Sequence, residues 1–262
     1  MSGNLSPAEI GKFLSAKGAM RFVEPDMKLG LGTGSTAAWL VKLLAHTKRT
    51  QGLNFTAVAT SYATTELANS LGIDIRGLDE VGQLDLTIDG ADEFDPALNL
   101  IKGGGAALLQ EKIVATASDK MVVITDKSKR VEALGAFPLP VEVVQFGFRT
   151  TQRLVTEMLA DQDVQGRKVT VRMAGDQPLV TDEGHHILDL HLEKIGDAHR
   201  LTSSLAGIAG VVEDGLFLGI ADAVVVGHGS GRLETQVAGR DDWQVEEIDL
   251  QAEAALLAAL AG

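Results

Sequence analysis

Four short apolar runs, each followed by a turn and then by a helical pattern, constrain this chain more than any other feature. Met27–Leu31, Phe55–Ala59, Leu84–Ile88 and Met121–Thr125 read as strands. Between them lie a helix running from a Gly/Ser/Thr turn to Leu44, a second over Thr64–Leu71 and a third from about Ala106 to Ala117. Such alternation is the signature of a doubly wound parallel sheet. The predicted fold class is therefore α/β, a Rossmann-like and mostly parallel sheet. From about Val131 the character changes. Pro138 and Pro140 punctuate the chain, and a helix-like stretch follows through Leu159. Lys168–Met173 and His186–Leu192 read as strands. In the latter, Leu188, Leu190 and Leu192 alternate with Asp189, His191 and Glu193, which suits an antiparallel sheet with one solvated face. Ala223–Val226 is wholly apolar and returns to the parallel sheet, and the Ala/Leu-rich tail Gln251–Leu260 predicts a closing helix. The expected organisation is a Rossmann-like domain over residues 1–132 and 209–262, with a smaller α+β domain inserted at 133–208.

Charge narrows the partners. Asp and Glu number 36 against 23 Lys and Arg, a formal net charge of −13. That average field repels a polyanion such as DNA, and no Lys/Arg stripe offsets it, so no nucleic-acid partner is expected. A phosphorylated small molecule meets the same field. Any phosphate site must then be built locally, from backbone amides and a few placed lysines. Cysteine is absent, which removes disulfides, zinc–thiolate sites and cysteine nucleophiles. Met1–Ala19 lacks a basic segment followed by an unbroken apolar stretch, so no signal peptide is expected. No run approaches the roughly 20 apolar residues of a membrane span. The expectation is a cytoplasmic protein with no membrane partner.

Four segments carry chemistry. Gly30-Leu-Gly-Thr-Gly-Ser-Thr36 sits between a strand and a helix, where backbone N–H groups and the helix dipole favour an anion. Ser35 stands where the third glycine of a dinucleotide fingerprint belongs, and no lysine follows as in a nucleotide P-loop. A single small phosphate remains, with a tight structural turn as the alternative. Asp89-Gly-Ala-Asp-Glu93 ends the third strand, on the rim where open α/β sheets place ligands. A solvated acidic turn with a helix-capping Asp is its alternative. Lys102-Gly-Gly-Gly-Ala-Ala-Leu-Leu-Gln-Glu111 begins with three glycines that form a cradle of amides, with Lys102 at its edge. Glu111 lies in the following helix. Its helical neighbours Ala107, Leu108, Val114 and Ala115 predict a partly desolvated carboxylate, raised toward neutrality and suited to a general base. The alternative is a buried glutamate merely paired with a nearby lysine. Asp126-Lys-Ser-Lys129 follows the fourth strand and could hold a phosphate as a point charge or be a solvated turn. His185, His186 and His191 cluster in sequence, but with no Cys and no H-E-x-x-H pattern, no metal site is expected.

At these four motifs the chain resembles ribose-5-phosphate isomerase of the A type. The segments GLGTGSTAA, LDLTIDGADE, LIKGGGAALLQEKIVA, DKSK and FPLPVEV resemble that family's signatures in the family's order, and the similarity continues through LVTDEGHHILDL and GVVEDGLF. The resemblance implies a two-domain α/β fold, a homodimer or dimer of dimers, and no cofactor. It places the substrate-binding turn on Thr33, Gly34, Ser35 and Thr36, and the acidic loop on Asp89, Gly90, Ala91 and Asp92. The glycine cradle falls on Lys102, Gly103, Gly104 and Gly105, a second lysine on Lys129 and the proton acceptor on Glu111. An N-terminal lysine that can approach phosphate would be Lys12. The tail after Gly229 departs from compact members of the family.

The activity so implied interconverts ribose 5-phosphate and ribulose 5-phosphate, in the pentose phosphate pathway, by moving a proton between C1 and C2 through an enediolate. In that scheme Glu111 shuttles the carbon proton, while Asp89 handles hydroxyl protons and ring opening. Asp92 holds a sugar hydroxyl. Lys102 and the Gly103–Gly105 amides face the developing oxyanion, and Thr33, Ser35, Thr36 and Lys129 hold the phosphate. Two other classes stay open. A non-catalytic sugar-phosphate sensor would carry a DNA-binding module, of which the sequence shows no basic helix-turn-helix sign. Acyl transfer to coenzyme A would use a glutamate nucleophile on a similar sheet, and coenzyme A binding would reveal it.

Overall fold

The computed structural model describes residues 5–240 and 242–261. The chain divides into two compact units, one of Met1–Gly90, Ile113–Lys129 and Ala221–Gly262, the other of Ala91–Lys112 and Arg130–Ile220. The expected insertion, 133–208, lies within the second unit, which also takes in 91–112, 130–132 and 209–220. The reason is a small sheet invisible to periodicity. Glu93–Phe94 pairs with Leu100–Ile101, which pairs in turn with Leu216–Phe217, so three dispersed segments are hydrogen-bonded together.

The first unit holds the mostly parallel sheet. Lys28–Leu31 is flanked by Thr56–Ala59 on one side and Leu86–Asp89 on the other. Met121–Asp126 and then Ala223–Gly227 extend it in parallel. The connection pattern reverses direction at Lys28–Leu31, and the carboxyl ends of that strand and of Leu86–Asp89 flank the switch point where such sheets place ligands. Beyond Ala223–Gly227 the sheet turns antiparallel through Arg232–Val237 and Gln244–Glu247. The tail after Gly229 thus adds two strands, then the helix Leu250–Ala261, whose Leu256, Leu257 and Leu260 pack on the core.

Helices cover the sheet for legible reasons. Pro7–Ala19 starts at Ser6, whose hydroxyl accepts from the Glu9 N–H at 3.2 Å, with Pro7 at the first helical position. Its buried face carries Phe13, Leu14, Ala16 and Ala19, and Phe13 meets Trp39 edge to face at 5.6 Å. Ser35–Gln51 runs two turns past the expected end at Leu44. Nothing in Ala45–Gln51 breaks a helix, and Gly52, left-handed at φ 71°, stops it. Each fully buried Leu or Phe here contributes about 1.5–3 kcal/mol by leaving water. Among the described residues no helix is long and apolar enough to cross a membrane.

The second unit is built on an antiparallel sheet in the order Val211–Asp214, Leu139–Val143, His186–His191, Lys168–Val171. The prolines at 138 and 140 conceal the strand Leu139–Val143 from sequence reading. Pro140 has no N–H to give, but its carbonyl still accepts from Gly215 N at 2.8 Å. The alternation read in His186–Leu192 holds, since Leu188, Leu190 and Leu192 are buried while Asp189 and His191 reach the surface. Leu139–Val143 also carries Glu142 into the interior. Its carboxylate accepts from Thr181 Oγ1 at 2.9 Å and meets His185 Nδ1 at 2.9 Å.

Burial pushes the Glu142 carboxyl above its ordinary value, and the bonds from Thr181 and His185 oppose that only in part. Below the ordinary carboxylate value, folded and unfolded chains both hold the proton. Above it the unfolded chain ionises first, so stability from this group is lost as pH rises through the window up to the raised native value. Glu142→Gln does not titrate. It should raise the urea midpoint relative to the parent at neutral pH, and the gap should close as the buffer approaches about pH 4.

Candidate active site

The first unit presents one set of site residues on the carboxyl rim of its parallel strands. Leu31 ends its strand, and Gly32 N–H donates to Ile88 O at 3.0 Å, so the turn begins fastened to the neighbouring strand. Asp89 closes that neighbouring strand and is wholly buried. Its Oδ1 accepts from Thr33 N at 3.0 Å and from Gly90 N at 2.7 Å. Gly32 makes this approach feasible, because a Cβ there would lie 1.9 Å from Asp89 Oδ1. The Thr33 hydroxyl turns inward, 2.8 Å from both Thr60 Oγ1 and Ser61 Oγ. Thr64 Oγ1 ties the same network to Gly32 O at 3.0 Å.

The N–H and the hydroxyl of Thr33 are both engaged within the protein, so it shapes the turn. Gly34, Ser35 and the start of the helix remain open. Gly34 and Ser35 are exposed, Thr36 is half-buried, and Gly34, at φ 101°, provides no side-chain cap. The N-cap of this 17-residue helix thus supplies no side-chain acceptor to its first N–H groups, and a helix end of that kind favours an anion. Lys129 sits on the same rim, half-buried in the turn Lys127–Lys129 that follows Met121–Asp126. Lys12 is held by Glu9, its Nζ 2.7 Å from Oε1, and Glu9 also accepts from Trp39 Nε1 at 3.0 Å.

The second unit presents the other set. Asp92 N donates to Ile101 O at 2.8 Å, and Asp92 Oδ2 accepts from Gly104 N at 2.7 Å, so the acidic loop and the glycine cradle form one piece. Ala91 is half-buried, and Gly104 and Gly105 are exposed. Glu93, the third acid of its motif, is structural. It is buried and accepts from the N–H groups of Gly135 and Phe137. Lys102 is 2% exposed and Glu111 4%. The Lys102 ammonium lies 3.4 Å from Glu111 Oε1 and 5.5 Å from the centre of the Phe217 ring. Ala107, Leu108, Val114 and Ala115 are all buried, which gives Glu111 the apolar helix face its spacing foretold. The carboxylate is paired with a lysine, as the structural alternative also held, but the lysine belongs to the cradle that opens at Gly104 and Gly105.

The histidines go elsewhere. His185 meets Glu142, His186 Nδ1 lies 2.8 Å from Leu179 O, and His191 Nε2 is 2.9 Å from Thr170 Oγ1. Sequence reading missed Thr60, Ser61 and Thr64, and also Phe217 against Lys102. It missed Arg172, which bonds to the cradle, and Asp189, which grips Arg172. Only the hydroxyl-rich end of the second strand gave a signal. The others gather from strands distant in sequence.

Residues 56–231 match the family described as ribose 5-phosphate isomerase A (phosphoriboisomerase A). The ribose-5-phosphate isomerase A of Ruegeria sp. (strain TM1040) is 58% identical over 249 residues, 95% of each chain. That of Cereibacter sphaeroides (strain KD131) is 60% identical over 233 residues, 89% of each chain. The chain belongs to the ribose 5-phosphate isomerase A family. Among solved structures, ribose 5-phosphate isomerase A from Methanocaldococcus jannaschii has a TM-score of 0.79 at 38% identity, covering 86% of this chain and 97% of that one. A D-ribose-5-phosphate isomerase in complex with phospho-erythronic acid has a TM-score of 0.80 at 36% identity, covering 92% and 100%. Family membership extends through both units, so the two sets of rim and cradle residues belong to a family fold.

The buried pair makes a stability test. Removing one member of a buried ion pair leaves the other charge without its partner, at a typical cost of about 3–5 kcal/mol. Lys102→Met should therefore lower the unfolding free energy by about that much, and Glu111→Gln added to it should restore a large part. Urea denaturation of the single and double variants checks this. Additive losses would show that the two side chains are not coupled.

Proposed function

We propose that this chain interconverts D-ribose 5-phosphate and D-ribulose 5-phosphate by general acid–base proton transfer through an enediolate. The observation that carries the reading is the buried Lys102–Glu111 pair beside an open glycine cradle, in a member of this isomerase family. A carbon acid next to a carbonyl needs one base that reaches both C1 and C2, and a cation or amide donors facing the oxygen on which charge develops. Glu111 is that base. Lys102 and the Gly103 and Gly105 amides receive the developing oxyanion, while the Gly104 N–H is held by Asp92.

Asp89 handles hydroxyl protons and ring opening. Two backbone N–H groups fix its Oδ1 and so hold the carboxyl in place at the end of the strand. Asp92 holds a sugar hydroxyl through the oxygen not engaged by Gly104, and Gly90 and Ala91 line the same loop. The phosphate sits on the helix end at Gly34, Ser35 and Thr36, with Lys129 as a point charge. This local construction answers the −13 net charge, because the amides contribute no competing counter-charge. Thr33 contributes by holding the turn in shape. No cofactor or metal enters the scheme. The enzyme works in the cytoplasm, in the non-oxidative branch of the pentose phosphate pathway, as a homodimer or dimer of dimers. Exposed Phe146, Met173 and Val180 give a second copy apolar surface to cover.

Ketose formation from ribose 5-phosphate, measured in excess chelator, is the direct test. Activity should persist. Loss on chelation with recovery on adding a divalent ion would overturn the metal-free scheme. Glu111→Gln should lose at least a hundredfold in kcat while a phosphorylated aldonic acid still binds, since the amide keeps size but cannot accept the proton. Lys102→Ala should lower kcat far more than it raises KM, whereas Lys129→Ala should mainly raise KM. A pure binding defect in Lys102→Ala would move the oxyanion role to the cradle amides.

A further inference from the structure

We propose that Arg172, oriented by Asp189, is a positioning residue that sets the peptide planes of the glycine cradle. Its effect on turnover rests on the isomerase reading above, while its effect on the cradle does not. Arg172 follows the strand Lys168–Val171, and its backbone N–H donates to Ile187 O at 2.8 Å, which anchors it beside His186–His191. Its Nε donates to Asp189 Oδ2 at 3.0 Å, and Nη2 engages the other carboxylate oxygen. Nη1 then donates to Gly103 O at 2.6 Å and to Gly104 O at 3.2 Å. A guanidinium carries its donors in a rigid planar fork. Once Asp189 grips two of them, the direction of the remaining nitrogen is set.

That nitrogen controls more than two carbonyls. In a trans peptide the N–H points opposite to the C=O of the same unit. Holding Gly103 O turns the Gly104 N–H to the far side, where it donates to Asp92 Oδ2 at 2.7 Å. Holding Gly104 O turns the N–H of Gly105 in the same way. Three consecutive glycines have no side chains to confine their backbone, so without an outside hold each plane has several accessible orientations. The Gly103 carbonyl also accepts from the Ala106 N–H at 3.0 Å, so at that plane Arg172 reinforces a turn bond. At the next plane it holds Gly104 O and so aims the Gly105 N–H, which is assigned to the substrate, and its positive charge polarises both units as donors. A cross-strand ion pair with no wider role would not need its third nitrogen to reach a loop 69 positions away in sequence.

The test uses the full-length protein and the variants Arg172→Ala, Arg172→Lys and Asp189→Asn, with the exposed Arg153→Ala as control. Hydrogen exchange of the segment 102–106 is read beside that of the helix Ser35–Gln51, together with kcat, KM and the thermal midpoint. Arg172→Ala should speed exchange in 102–106 on the order of tenfold and leave the helix unchanged. It should lower kcat on the order of a hundredfold with KM within about threefold, the scale of an approximately 1 Å misplacement. Arg172→Lys should recover little, because one ammonium cannot grip a carboxylate with two prongs and reach two carbonyls. Asp189→Asn should fall between, and the double variant should be no worse than Arg172→Ala, as expected of one unit. Unchanged exchange in 102–106 overturns the proposal, as does a rise in KM alone or a rise in exchange spread over the whole chain. Should Arg172→Ala fail to fold, Arg172→Lys and Asp189→Asn decide by the same measures. If the parent shows no isomerase activity, the functional reading fails, and the exchange comparison still decides the role of Arg172.

Discussion

A carboxylate taken fully out of water has to find donors, and at the switch point of the parallel sheet the donors Asp89 finds are backbone amides. Its Oδ1 collects the N–H groups of Thr33 and Gly90, which belong to two different turns. That single oxygen joins the end of Lys28–Leu31, the end of Leu86–Asp89 and the loop that follows. The rest of the rim depends on it. Gly32 is confined to glycine by the approach of Asp89, and Gly34 and Ser35 are left at the exposed end of a long helix. The hydroxyls of Thr60, Ser61 and Thr64 hold the turn from beneath. Such bonds matter because a buried carboxyl oxygen left without a donor costs free energy.

The second unit solves a different problem, how to give shape to a segment with almost no side chains. The cradle Gly103–Gly105 is held from outside by Asp92 on one side and Arg172 on the other. Lys102 at its edge is buried against Phe217 and Glu111, so its ammonium has few orientations left. Amides and a cation fixed before substrate arrives need no reorganisation when charge develops, which is where enzymes of this chemical type obtain much of their rate.

The legible part of the site was whatever is local in sequence. The turn Gly30–Thr36, the acids Asp89 and Asp92, the cradle and Glu111 each stand in a short segment whose residue types already imply their chemistry. Glu111 is the clearest instance, because its helical neighbours alone placed it on an apolar face. What stayed illegible comes from pairing between distant strands. The partners of the Thr33 hydroxyl, Thr60 and Ser61, reach it only through the pairing of the second strand. Asp189 looked like a polar-face residue until the antiparallel register brought Arg172 to its carboxylate and to the glycine carbonyls. The strand Leu139–Val143, with proline at its second position, is a case where a local rule misleads because the partner strands satisfy what proline cannot.

The sequence by itself determined the parallel strands, their helices and the residue types gathered in the candidate-site segments, because strand periodicity, glycine turns and carboxylate placement act over a few residues. Tertiary structure alone decided which donors remain open to a ligand. It joined three dispersed segments in one small sheet, turned the Thr33 hydroxyl inward, buried Lys102 against Glu111 and brought Arg172 to the cradle carbonyls. Hydrogen-bonding capacity is a property of each residue, but whether it is already satisfied depends on neighbours that only the folded chain supplies.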